Sequence, residues 1–358
     1  MISNSRYWIV HTCNKTEYHL QKSAMNIRNI MRNIFSKTKY TYGIVFLSFT
    51  LFTFSCGAKP IVLDNEIISP NQDTRMPPPV AIGELNKNAR SINIYMNNGI
   101  ELTFRRAEKD YIPDKTSFYD IWQLWEAFGS KEDGSRDIRI VRSGEWETAI
   151  KINDDFVGGV NHGFERKTSV QFLLDGQPIA EEEDIVRRPF HSFYVLQETD
   201  LYAYNSTDEK IARIMKQWDF KEGGTIELRQ TVKWLSPQSL RNTYLAMLPV
   251  SRDENGINIT SKAERDDIRK VFDVSQAGHK NPLGPGGKNS ASTSLTLWGD
   301  TYKLRVSIDR EDILANSSLW LSNSNIYNKI YFDYTGRHEV KKDEVFDILV
   351  RFELGKTD

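Results

Sequence analysis

The sequence predicts an all-β chain, an antiparallel β-sandwich or jelly roll with one or two short helices. Three observations predict it: at least five segments alternate apolar and polar residues with period two, turn-forming residues separate them, and helical spacing is confined to two stretches. Aromatic residues, 11% of the chain, suit a pleated, half-buried surface.

Taken in order, Ile92, Ile94 and Met96 alternate with Asn93 and Tyr95, and Leu102 and Phe104 repeat the pattern beyond the hairpin signal Asn97-Asn98-Gly99. Trp146, Thr148, Ile150 and Ile152 form a second phase. Ile226, Leu228, Gln230, Val232 and Trp234 form a third against Glu227, Arg229, Thr231 and Lys233. Leu304, Val306 and Ile308 make a fourth, and Ile348 to Leu354 closes the chain in the same way. Each pattern puts one face on a core and the other in water. Asp175-Gly176 and Glu222-Gly223-Gly224 are turns. The helical expectations are Ser117–Gly129, bracketed by an N-cap serine and a C-terminal glycine, and the polar stretch Ser261–Val274. Strands and helices do not alternate, so a parallel α/β fold is disfavoured, and no fixed-period repeat emerges.

Ahead of these elements lies an apolar run from Gly43 to Phe54, preceded by Arg28, Arg32, Lys37 and Lys39 and followed by Ser55 and Cys56. It is too short for a hydrocarbon core, which needs about twenty apolar residues, and has the parts of a secretory signal. Thr53-Phe54-Ser55-Cys56 resembles the lipobox of bacterial lipoproteins, Bacteroidota-like in character, with Phe54 a departure from the usual small residue. The resemblance implies acylation of Cys56, membrane attachment through that lipid, and an outer-membrane position facing the periplasm or the surface. Cys13 and Cys56 are the only cysteines, so Cys56 has no disulfide partner once the signal is gone. The organisation read from this is a signal peptide over 1–55 with Met25 as the true start, a lipidated tether over 56–90, stiffened by Met76-Pro77-Pro78-Pro79, and a sandwich domain over 91–358.

Whole-chain charge is near balance, 47 Lys and Arg against 48 Asp and Glu. Without residues 1–55, which hold seven basic residues and one acidic, 40 face 47 and the net is about −7. With no Lys/Arg-rich block, nucleic acid is not an expected partner.

The stretch most suggestive of chemistry is Asp154-Asp155-Phe156-Val157-Gly158-Gly159-Val160-Asn161-His162-Gly163-Phe164-Glu165-Arg166. Its glycines allow tight backbone geometry or close approach of a ligand, and Asn161, His162, Glu165 and Arg166 offer a donor, a titratable base, a carboxylate and a cation. His191, Tyr202, Tyr204, Arg241 and Tyr244 lie in or beside strands and could converge on one sheet face. These types suit β-elimination on a uronic-acid polymer, in which Asn161 or Arg241 neutralises the carboxylate, His162 or His191 takes the proton, and a tyrosine such as Tyr244 protonates the leaving oxygen. In residue types and fold this resembles the sandwich-fold polysaccharide lyases. Glu165, Arg166, Tyr202 and Tyr204 would bind substrate, as would Trp122 and Trp125 if their rings stack on sugars rather than pack in the core.

A glycosidase would need a carboxylate pair, for which Glu165 with Glu145 or Glu147 is the least arbitrary choice. There is no His-x-x-x-His zinc motif, nucleotide fingerprint or Gly-x-Ser-x-Gly elbow. No cofactor is implied beyond structural calcium at Asp253-Glu254-Asn255-Gly256 or Asp133-Gly134-Ser135, neither an EF-hand. The loop Gly278–Ser290, with His279, Lys280 and Lys288, reads as a cleft border or a plain surface loop. The expectation is an extracytoplasmic lipoprotein acting on a polysaccharide or oligosaccharide, as a uronate-cleaving lyase or as a non-catalytic glycan-binding or envelope protein.

Overall fold

The computed structural model describes residues 80–110, 117–131, 133–142, 146, 148–278, 282–283, 292–309, 318–323, 326–334 and 336–357. All belong to the second of two units, Arg75–Asp358. The signal, Cys56 and most of the tether lie outside the described residues, as do Glu145, Glu147 and most of the Gly278–Ser290 loop.

The protein is all-β, as its sequence predicts, and the strands form two long runs packed face to face. The first run is ordered β10 (Ile185–Phe190), β1 (Gly83–Lys87), β2 (Ser91–Met96), β3 (Ile100–Lys109), β4 (Tyr119–Ser130), β5 (Arg136–Val141), β14 (Gln238–Ser251), β22 (Tyr327–Asp333) and β21 (Ser318–Asn323). β6 (Ala149–Ile152), itself paired with β7 (Asp155–Val157), and β23 (His338–Val340) share the rest of β14. The second run is β9 (Gln177–Ile179), β8 (Glu165–Leu174), β11 (Phe193–Tyr202), β12 (Lys210–Lys221), β13 (Thr225–Trp234), β24 (Val345–Lys356), β20 (Tyr302–Asp309), β19 (Ser294–Trp298), β17 (Lys262–Arg265) and β18 (Val271–Asp273). A small hairpin, β15 (Asp253–Glu254) and β16 (Ile257–Asn258), stands apart, and one four-residue helix, α1 (Gly159–His162), precedes β8. The two runs are joined by a short parallel contact of β4 with β8, Tyr119 opposite Glu165.

Alternation places the core. In β13 the buried residues are Ile226, Leu228, Gln230, Val232 and Trp234, the phase read from the sequence, and β2 and β20 follow the same rule. Phe104 on β3 meets Trp218 and Phe220 on β12 edge-on, at 5.6 and 6.1 Å between centroids, which joins the layers through their inner faces. Burying one such side chain contributes roughly 1.5–3 kcal/mol. Two buried amides cross this apolar interior: Thr148 Oγ1 donates to Gln230 Oε1 at 2.5 Å and Gln230 Nε2 donates to the Leu245 carbonyl of β14, while Gln197 on β11 accepts the Trp122 N–H of β4 at 2.6 Å and donates to its carbonyl at 3.0 Å.

Three expectations need correction. The sheet begins at Gly83, inside the segment read as tether, because β1 pairs with β2 through the Asn88–Ser91 turn. Ser117–Gly129 holds strand β4, not a helix. A bulge opposite Thr103 and Phe104 places Trp125 as an extra residue, so the core phase Trp122 and Leu124 resumes at Ala127; that one-residue slip turns a period of two into apparent helical spacing. Ser261–Val274 is the hairpin β17–β18, with Lys262 opposite Asp273. Its polar character belongs to the turn between them.

Candidate functional site

The glycines around His162 serve the backbone. The Gly158 N–H donates to Gly163 O at 2.7 Å, closing a loop around α1, and Phe164 N–H donates to Phe118 O at 2.7 Å. Gly158 and Gly163 have φ of 103° and 74°, and a Cβ on Gly163 would lie 2.6 Å from the Ser117 Cβ. Chain, not ligand, makes the close approach.

Glu165 fixes the same turn from below. It is fully buried; Oε2 accepts the Gly159 N–H at 2.7 Å, while Oε1 accepts Thr199 Oγ1 at 2.7 Å and pairs with buried Lys216 at 2.7 Å. Glu165 therefore positions α1 and cannot touch a ligand from solvent, which corrects its assignment to substrate binding.

Above this base the His162 ring stacks on Phe156 at 4.8 Å, and Phe156 stacks on Tyr244 at 6.1 Å. Tyr244 meets Tyr331 at 5.1 Å and Trp320 at 6.1 Å, and Trp320 lies parallel to Tyr331 at 4.2 Å. Register explains the alignment. Tyr244 sits opposite Ala149 on β6, Met247 opposite Tyr331 on β22, and Tyr331 opposite Trp320 on β21. The residues between them, Leu245, Ile330, Leu319 and Leu321, point to the main core, so the ladder occupies the outer face of the first layer as a separate apolar cluster with Ala149 and Met247. Lys151 lies 5.5 Å from the Phe156 ring and Lys329 5.2 Å from the Tyr331 ring, attractive placements for cations over aromatic faces.

Two residues chosen from sequence, His162 and Tyr244, thus meet in one cluster through Phe156. Arg241 lies three residues before Tyr244, at a β14 bulge between Leu240 and Asn242, with a buried Nε that has no hydrogen-bond partner among the described residues. Asn161 is exposed on α1. Tyr244 itself is 6% exposed. Burial first, then the Asp333 charge, push its phenol far above the ordinary tyrosine range.

Other candidates stand elsewhere. His191 is in the turn at the far end of β8 and β11, beside Asp175 at 3.8 Å, and β8 alone separates it from α1 by about 30 Å at the usual strand rise. It cannot share a substrate residue with His162. Trp122 is wholly buried between Phe104 and Phe172, its indole donating to Glu181 at 2.7 Å, so it is core and not a sugar platform. Half-buried Trp125 lies 5.1 Å from the Arg105 guanidinium. Arg166 covers Phe118 at 4.4 Å, Tyr202 packs edge-on against Phe118 at 5.3 Å, and Tyr204, 42% exposed, rests on Phe164 at 5.3 Å. These last three form a patch beside the β4–β8 seam. In the calcium candidates, Glu254 pairs with Arg142, Asp253 with Arg252 at 2.9 Å, and Asp133 accepts from Ser135, all contacts within the protein.

Sequence reading missed Phe156, Trp320 and Tyr331. The signal was present: Trp320 and Tyr331 occupy the outward phase of strands whose inward phase is Leu319-Leu321 and Ile330-Phe332. Trp320 and Tyr331, stacked at 4.2 Å, make a contiguous apolar patch where the strand phase puts water.

Neither a family model nor a curated protein matches the chain. Among solved structures, a galactose 1-epimerase from Lactobacillus acidophilus NCFM aligns at 9% identity over 75% of this chain and 95% of its own, with a TM-score of 0.37. A putative aldose 1-epimerase from Klebsiella pneumoniae aligns at 9% identity over 74% of this chain and 79% of its own, and the Slr1438 protein from Synechocystis sp. PCC 6803 at 9% over 80% and 99%, both with TM-scores of 0.37. Overlaps this loose reflect stacked layers of strands and assign neither substrate nor reaction.

Proposed function

We propose that the chain is a carbohydrate-handling protein that holds a glycan on the outer face of the first layer. The observation that carries this reading is the aromatic ladder His162, Phe156, Tyr244, Tyr331 and Trp320, a ribbon of rings on a rigid sheet with cations at both ends. Sugar rings present apolar C–H faces that stack on aromatic rings, while hydroxyl and acidic groups meet polar neighbours. Lys151 and Arg241 favour an acidic glycan over a neutral one. The test is calorimetric titration of the purified chain with uronate-containing and neutral oligosaccharides, with Trp320→Ala as the disabling variant. Equal heats from the variant and the native chain would remove the ladder as the site.

A uronate-lyase reading has one support, the unpartnered Nε of Arg241, which would suit a substrate carboxylate. Tyr244 is not its acid, being buried. In this reading His162 is the base, and another group protonates the leaving oxygen. Appearance of unsaturated-uronate absorbance on incubation with uronate polymers separates lyase from binder. Our proposal also keeps the extracytoplasmic, lipid-anchored position implied by the Cys56 lipobox, which places such a protein where polymeric glycans occur.

A further inference from the structure

The opposite surface of the sandwich carries a second concavity. Its floor is β19, where Leu295 and Leu297 point inward and Ser294, Thr296 and Trp298 point outward. The groove has a volume of about 430 Å³; β17 and the turn after it form one wall with Glu264 and Arg269, and β20 forms the other with Lys303 and Arg305. That volume lies within the range of small-ligand sites, roughly 300–1,000 Å³.

Register sets the chemistry. Trp298 sits opposite Lys303 on β20, and Thr296 between Glu264 and Arg305. Asp266, also at the groove, is occupied by Ser292 Oγ at 2.7 Å and Thr293 Oγ1 at 3.0 Å, which keeps its charge turned into its own loop. Arg305 is held by Ser294 Oγ at 3.1 Å and by Glu353 at 3.6 Å. Lys303 and Arg269 make no ion pair among the described residues, nor does Glu264. A half-exposed indole therefore lies between two uncommitted cations and one uncommitted carboxylate.

We infer that this groove is a second binding site and takes a carboxylated sugar residue, its ring laid on Trp298. Lys303, directly across from the indole, meets the carboxylate, Arg269 adds positive potential from the facing wall, and Glu264 accepts ring hydroxyls. The inference is independent of the ladder on the first layer, since the two sites lie on opposite outer faces and share no residue.

The experiment uses the full chain with trigalacturonate as the acidic probe and maltotriose as the neutral one, read by calorimetry. The Trp320→Ala variant, which disables the ladder, is expected to retain trigalacturonate binding. Adding Trp298→Ala should abolish it. In the same Trp320→Ala background, Lys303→Gln with Arg269→Gln, both exposed, should weaken trigalacturonate at least tenfold and leave maltotriose unchanged. The inference is overturned if Trp320→Ala already removes all trigalacturonate binding, or if, in that background, Trp298→Ala has no effect or the charge variant binds trigalacturonate as the Trp320→Ala chain does.

Discussion

Glu165 on β8 and Lys216 on β12 form an ion pair 2.7 Å long, with side chains 0% and 5% exposed and strand β11 between them. The carboxylate's other oxygen holds the Gly159 N–H, so the pair anchors the turn that carries His162. Lys216→Met leaves a buried carboxylate without its cation, and breaking a pair of this kind costs about 3–5 kcal/mol. Urea unfolding is expected to show that loss, and replacing both partners by apolar residues should recover much of it.

Gly163→Ala should also destabilise, by more than about 1 kcal/mol, because φ of 74° is strained for any side chain and the added methyl would lie 2.6 Å from Ser117 Cβ. Gly176→Ala, with φ of 74° and open space around it, separates the two causes: it carries the strain without the collision. The Gly163 variant should have the lower thermal midpoint.

The Tyr302 phenol is pushed up to about 12 by burial, with the Asp137 carboxylate and its hydrogen bond adding to the effect. The folded form thus holds its proton above the ordinary value of 10.0, and the Tyr302 contribution to stability is fully present below pH 10 and is lost as pH rises towards 12. Denaturant midpoints across that window should fall for the native chain and fall less for Tyr302→Phe. A parallel decline in both would assign the effect elsewhere.

Cys56→Ala should release the protein from membranes in its native host, with fatty-acid labelling of the unsubstituted chain as the companion measurement. Retention of the variant after a salt wash, with no label on the native protein, would refute lipid anchoring.

Strand identity was legible wherever one face is wet. β13 and β20 follow the period-two rule through every residue, and even Gln230 was placed correctly on the inner face. It failed at β4, where Ile121, Trp122, Gln123 and Leu124 are all buried and a bulge shifts the phase, because both faces are covered and alternation carries no information there. The site was legible in part for the same reason. His162 stood out through its glycines, whereas its relation to Tyr244 depends on pairing between strands about eighty residues apart in sequence, which local pattern does not encode. Trp122 was offered as a platform and is core, since a tryptophan in an apolar run gives no sign of which face it takes.

The Gln230 amide that bridges Thr148 and the Leu245 carbonyl also sets how the two layers slide on each other. Apolar faces tolerate lateral creep, since one aliphatic contact replaces another at little loss. A buried amide with two partners has a single seat, and moving off it leaves polar atoms unsatisfied in the interior at a cost of about 1–3 kcal/mol. Gln230 therefore acts as a shear pin, and the outer ring of Tyr244 on β14 inherits its position from a side chain it never touches.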